Sequence, residues 1–188
     1  MLAAGFVLVG GRSSRMGQNK ARLKVGSRLL VEIVAAQVQQ VTGGVTLIGN
    51  PSEFSDLPFK CWPDLHPGLG PLAGLEAALA GERADFNVVV GCDTPGISAA
   101  ALVQLLAVAQ RTGALCTLAV DFSCRKHPLC AVYRSACLPV VRSALTAGRL
   151  RLLDVVEELK AVEVPIDLVL DNLNTPEQFA AWQAAHPI

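Results

Sequence analysis

Short runs of uninterrupted apolar residues recur along this chain, and longer segments of helical period separate them. Phe6-Val7-Leu8-Val9, Val45-Thr46-Leu47-Ile48 and residues 86–90, 114–120 and 129–133 have the length of strands. Residues 29–41, 72–79, 98–110, 137–147 and 152–159 repeat their apolar positions at helical spacing. A strand that is apolar at every position is buried on both faces, and strands of that kind alternating with helices predict a parallel sheet covered on each side. Local signals agree with the helix starts. Gly70-Pro71 precedes one helix, with proline where its missing N–H costs nothing. Ser98 is a candidate cap for another, and Thr175-Pro176-Glu177-Gln178 opens the last with a capping-box pattern. The expected product is one three-layer α/β/α domain over residues 1–188, Rossmann-like with a mostly parallel sheet. Its ligands should lie beyond the carboxyl ends of the strands.

A chain of 188 residues that is 52% hydrophobic and 17% charged can build such a core without disulfides or structural metal. The six cysteines form no C-x-x-C pair and several sit inside apolar runs, so a reducing, cytoplasmic setting is expected. No apolar run approaches the ~20 residues that span a bilayer, so no membrane is expected. The apolar start lacks the charged flank of a signal peptide, and arginines follow where a cleavage site would stand. Net charge is zero, which gives no field for nucleic acid. Yet no acidic residue precedes Glu32, while Arg12, Arg15, Lys20, Arg22, Lys24 and Arg28 all do. A local cationic block suits a small anionic ligand.

The first strand runs into Gly10-Gly11-Arg12-Ser13-Ser14-Arg15-Met16-Gly17-Gln18-Asn19-Lys20. Glycines after a strand, here Gly10 and Gly11, let backbone N–H groups approach phosphate, and Arg15 and Lys20 could neutralise its oxygens. A Walker loop would need glycine before the lysine, where Asn19 stands, and adjacent Gly10 and Gly11 break the dinucleotide fingerprint. An exposed turn with solvated arginines is the alternative; the missing acids speak against it. Asp93 follows the most apolar strand and is separated from the next helix by Thr94-Pro95-Gly96. That position suits Mg²⁺, which takes one or two carboxylates and completes its shell with phosphates and waters. Asp64 reads as an ordinary turn aspartate, Arg149 and Arg151 as a solvated turn or a phosphate clamp, and His127 as a structural imidazole. Asn172 and Asn174 suit capping and ligand contact equally.

Leu8-Val9-Gly10-Gly11-Arg12-Ser13-Ser14-Arg15-Met16-Gly17 with Lys20 resembles the signature loop of the MobA-like nucleotidyltransferases, most of all the molybdenum cofactor guanylyltransferases. The resemblance continues in family order through Gly70-Pro71-Leu72-Ala73-Gly74, Cys92-Asp93-Thr94-Pro95, His127-Pro128-Leu129 with Tyr133-Arg134, and Asn172-Leu173-Asn174-Thr175-Pro176. Two positions differ from the usual pattern: Asn19 replaces aspartate and Val9 replaces alanine. The resemblance implies the fold of nucleotide-diphospho-sugar transferases. It further implies that Leu8, Val9 and Gly10 present backbone groups to the base, that Lys20 reaches the phosphates, and that Asn50 and Asp64 contact the nucleotide. Asp93 would be the Mg²⁺ ligand, with Asn172 and Asn174 facing the second substrate and the metal. The implied reaction transfers GMP from Mg·GTP to molybdopterin cofactor and releases pyrophosphate, with other cofactor-biosynthesis proteins as possible partners. Lys20, Arg15 and Asp93 would carry the catalysis. A cytidylyltransferase, a sugar-nucleotide pyrophosphorylase and a non-catalytic nucleotide-binding regulator are the rival readings.

Overall fold

The computed structural model describes residues 3–10, 19–81 and 84–185. Seven strands form one sheet in the order β5-β4-β1-β6-β8-β7-β9. β1 (Ala3–Leu8) lies between β4 (Thr46–Ile48) and β6 (Phe86–Gly91), parallel to both. The chain first winds outward from β1 through β4 to β5 (Lys60–Trp62), then returns to place β6 on the other side of β1. The winding direction therefore reverses between β1 and β6, which opens a crevice at their carboxyl ends.

One strand departs from the parallel expectation. β8 (Lys126–Arg134) runs antiparallel to both β6 and β7 (Cys116–Val120). Only residues 121–125 join β7 to β8, and a connection that short permits a hairpin but no crossover. β9 (Val162–Pro165) then pairs parallel to β7 at the edge. β5 and β9 were not expected, nor was the two-residue hairpin β2 (Lys24–Val25) with β3 (Arg28–Leu29).

The helices fall close to their expected bounds. α1 (Leu30–Thr42) opens where Glu32 accepts from the Leu29 N–H at 2.6 Å and closes on Gly43 in the left-handed conformation. α2 spans Pro71–Gly81 and α3 spans Ala99–Thr112, with Ser98 Oγ accepting from Ala101 N at 3.2 Å. α4 (Leu138–Thr146) and α5 (Leu152–Glu158) form a helical hairpin, and α6 covers Pro176–Ala185. The capping box of α6 is present: Thr175 Oγ1 accepts from Gln178 N, and Gln178 Oε1 accepts from Thr175 N. Alternation along β1 sorts the layers. Val7 packs with α1 and α3 on one face, while Phe6 and Leu8 pack with α2, α4 and α5 on the other. No described helix is long and apolar enough to cross a membrane.

Candidate active site

The crevice is built from the strand ends upward. At the end of β1 the Leu8 carbonyl accepts from Cys92 N at 3.1 Å, which holds the exit of β6 against the exit of β1. Val9 N and Gly10 N both donate to the Ile48 carbonyl, at 2.9 and 3.2 Å. Any contact these two residues make with a base therefore comes from their carbonyl side. The Val9 side chain is buried against Gly49, where a Cβ on residue 49 would meet Val9 Cγ2 at 2.7 Å. The valine that replaces the family's alanine thus packs against the segment that follows β4.

Asp93 leaves β6 and folds back over Gly91, where an added Cβ would come within 2.7 Å of its Oδ1. Only glycine admits that approach. Lys20 begins the 3-10 turn Lys20–Arg22, and its Nζ donates to Asn174 Oδ1 at 2.7 Å while lying 3.9 Å from Asp93 Oδ2. The Leu173 N–H donates to the Asp93 carbonyl at 2.9 Å, and Thr94 Oγ1 lies 3.4 Å from both Asp93 Oδ1 and Asn172 Oδ1. Four of the residues singled out from the sequence, Lys20, Asp93, Asn172 and Asn174, therefore meet in one cluster. Both charged side chains are about four-fifths covered, at 19% and 23% exposure, so their field is weakly screened by water. Among the described residues no group of three His, Cys, Asp or Glu could cage a metal by itself. A single carboxylate whose hydrogen bond to Thr94 is as long as 3.4 Å nevertheless fits Mg²⁺, which draws most of its ligands from phosphate and water. The neighbouring Cys92 is no nucleophile: burial pushes its thiol up to about 12.

Asp64 follows β5 and reaches toward the other side of Gly10. A Cβ on Gly10 would lie 3.1 Å from its Oδ2, and one on Gly74 of α2 would lie 3.4 Å from its Oδ1. Oδ1 is buried with no hydrogen-bond partner among the described residues. Burial raises its pKa above the usual carboxylate value. A buried acceptor left in this way is open to a hydrogen bond from a ligand or from water. Asn50 has local work as well: it caps the turn Pro51–Glu53 by accepting from Ser52 N at 3.2 Å.

Other candidates have partners of their own. Arg149 and Arg151 follow α4, in the turn before α5. There Arg149 pairs with Glu158 at 2.8 Å and Arg151 with Asp154 at 3.5 Å, which is the solvated-turn alternative. His127 is buried and its Nε2 lies 2.9 Å from Asp121 Oδ2, inside the β7–β8 hairpin. Burial works against that carboxylate, but the His127 hydrogen bond and the N–H groups of Arg125 and Ser123 outweigh it and hold the Asp121 pKa below the usual range. The imidazole is structural. Gly11, Arg12 and Arg15 lie outside the described residues. Sequence reasoning missed Glu53, which accepts from both Asn19 and Asn50. The cap pattern Asn50-Pro51-Ser52-Glu53 was the available signal.

Comparison with known proteins gives the class first. The fold matches molybdopterin-guanine dinucleotide biosynthesis protein A from Archaeoglobus fulgidus, with a TM-score of 0.80 and 22% identity over 97% of each chain. It also matches 2-C-methyl-D-erythritol 4-phosphate cytidylyltransferase from Thermus thermophilus, with a TM-score of 0.71 and 16% identity over 96% of each chain. This is the fold of the nucleotidyltransferases. The model of the MobA-like NTP transferase domain matches residues 5–162, and a molybdenum cofactor guanylyltransferase from Xanthomonas euvesicatoria is 36% identical over 94% of this chain and 92% of its own. The chain belongs to the MobA-like NTP transferase family.

Proposed function

We propose that this nucleotidyltransferase transfers GMP from Mg·GTP to the terminal phosphate of molybdopterin cofactor and releases pyrophosphate. The observation that carries the reading is the cluster of Lys20, Asp93, Asn172 and Asn174 at the crevice between β1 and β6. Similarity to a relative named as a molybdenum cofactor guanylyltransferase supplies the acceptor.

The chemistry asks for little acid–base catalysis. An oxygen of the acceptor phosphate attacks the α-phosphorus of GTP; one P–O bond forms, the bond to the bridging oxygen breaks, and pyrophosphate leaves with the electron pair. The nucleophile is already anionic, so no proton has to be removed. Two anions must instead be brought together, and this is a problem of positioning and of counter-charge. The Lys20 ammonium would lie along the phosphates. Asp93 would hold Mg²⁺, which supplies charge neutralisation of the phosphate oxygens. Asn172 and Asn174 would orient the second substrate from the facing segment.

Asp64 supports guanine. Its two acceptor oxygens match the adjacent N1–H and N2–H donors of that base, whereas adenine, cytosine and uracil present no two neighbouring donor atoms along the same edge. The buried free thiols Cys92, Cys116, Cys130 and Cys137 suit a reducing compartment such as the cytoplasm. Pyrophosphate release from GTP, Mg²⁺ and the pterin phosphate acceptor tests the reading. Release is expected only with all three, and Asp93→Asn and Lys20→Ala should each retain under about a tenth of it, a rise of more than ~1.4 kcal/mol in barrier. Release without acceptor, or a fully active Asp93→Asn protein, overturns it.

A further inference from the structure

We infer that Glu53 is a positioning residue for nucleotide binding: through Asn19 and Asn50 it sets the spacing between the turn that carries Lys20 and the segment that follows β4. The inference deepens the reading above and rests on it. Glu53 ends the turn Pro51–Glu53, and its carboxylate is divided between two partners. Oε2 accepts from Asn19 Nδ2, and Oε1 accepts from Asn50 Nδ2 at 3.2 Å. Its own backbone takes part too, because the Glu53 N–H donates to the Asn50 carbonyl at 3.0 Å and its carbonyl accepts from Arg22 Nη1 at 2.6 Å. Arg22 in turn grips Asp56 with two parallel hydrogen bonds of 2.9 and 2.7 Å.

The far end of this network is the turn Lys20–Arg22. Asn19 caps it, with Oδ1 accepting from Ala21 N at 3.0 Å, while Ala21 itself is fully buried. The rotamer of Asn19 therefore sets the direction in which the turn starts, and Lys20 is its first residue. Asn19 uses both ends of its amide: the oxygen caps the turn and the nitrogen meets Glu53. A short amide can accept locally through its oxygen and donate across through its nitrogen. Aspartate at position 19 would keep the cap but set one carboxylate against another. Residues so exposed gain little stability from such bonds. Their consequence is geometric, since Lys20 and Asn50 lie on separate segments and must face the same nucleotide.

The test is isothermal titration with Mg·GTP on the full chain, with melting temperature as a control for folding. Glu53→Ala is expected to weaken binding at least fivefold, about 1 kcal/mol, with little change in melting temperature. Asn19→Asp should weaken it by as much or more. Combining Asn19→Asp with Glu53→Gln restores the donor–acceptor pairing in reverse, and binding should return to within about twofold of wild type. A purely structural network would lower the melting temperature and show no such rescue. Wild-type affinity in Glu53→Ala, or a double variant whose losses simply add, overturns the positioning role while leaving the guanylyl reading intact. Failure of the wild-type protein to bind GTP overturns both.

Discussion

Asp64 carries two opposed demands in one carboxylate. Its Oδ1 is buried without a hydrogen-bond partner among the described residues and its pKa is raised by desolvation, so ionisation costs the unliganded fold. The sign follows from linkage. A carboxylate whose folded-state pKa lies above its ordinary value favours folding when protonated, and stability declines as pH rises from the ordinary value through the raised one. Asp64→Asn should therefore raise the melting temperature at neutral pH and flatten the decline in stability that begins at the ordinary carboxylate pKa of about 4. The same change removes an acceptor from the proposed base edge, so affinity for GTP should drop about tenfold and its advantage over ATP should shrink. Melting curves across pH and competition binding measure both. A destabilised Asp64→Asn protein with unaltered affinity would make Asp64 an ordinary turn residue.

At the scale of elements, the position of the crevice depends on how closely α1 lies on β1. Gly5 in the middle of β1 permits that approach. A Cβ there would lie 2.5 Å from Val38 Cγ1 and 2.9 Å from the Gly44 carbonyl, and would also strike Thr42 Oγ1. Backbone cannot yield as a flexible side-chain tip can. Gly5→Ala is expected to cost roughly 1–3 kcal/mol through overpacking, whereas Gly44→Ala, which meets nothing within 4 Å, should stay within about 0.5 kcal/mol. Denaturant melts of the two variants make the comparison, and equal stabilities would mean that α1 can shift along the sheet. The site would feel such a shift, because α1 follows the β2–β3 hairpin and the turn bearing Lys20.

For the molecule as a whole, ligand binding and folding are linked. A nucleotide that binds only the native state at a hundredfold excess over its Kd adds ~2.7 kcal/mol, which for a chain of this size is a rise of roughly 5–10 °C in melting temperature. Mg·GTP should give that rise, and Mg·ATP, Mg·CTP and Mg·UTP clearly less. Equal shifts for CTP and GTP would move the assignment to a cytidylyltransferase and leave the fold and the phosphate chemistry unchanged.

How much of this could be read from the chain depends on whether the determining interaction is local. β1, β6, α1 and α3 were legible because a continuous apolar run or a 3.6-residue period records burial within a few residues, and Ser98 and Thr175 mark helix starts by bonds to the next turn. Lys20 and Asp93 were picked out for a related reason: Asp93 follows the end of a strand that the pattern already located, and Lys20 closes the loop that leaves another. β5, β9 and the β2–β3 hairpin were not, since segments of two to four residues are too short for any period to register. The reversal of β8 was decided by the span of the 121–125 turn, whose consequence appears only when β7 and β8 have to pair. Tertiary structure alone brings Asn174 to Lys20 across 154 positions, leaves Asp64 Oδ1 beside Gly74 without a partner among the described residues, and joins Glu53 to Asn19. Burial periodicity says which face of an element is covered, and carries no information about which distant side chain will cover it.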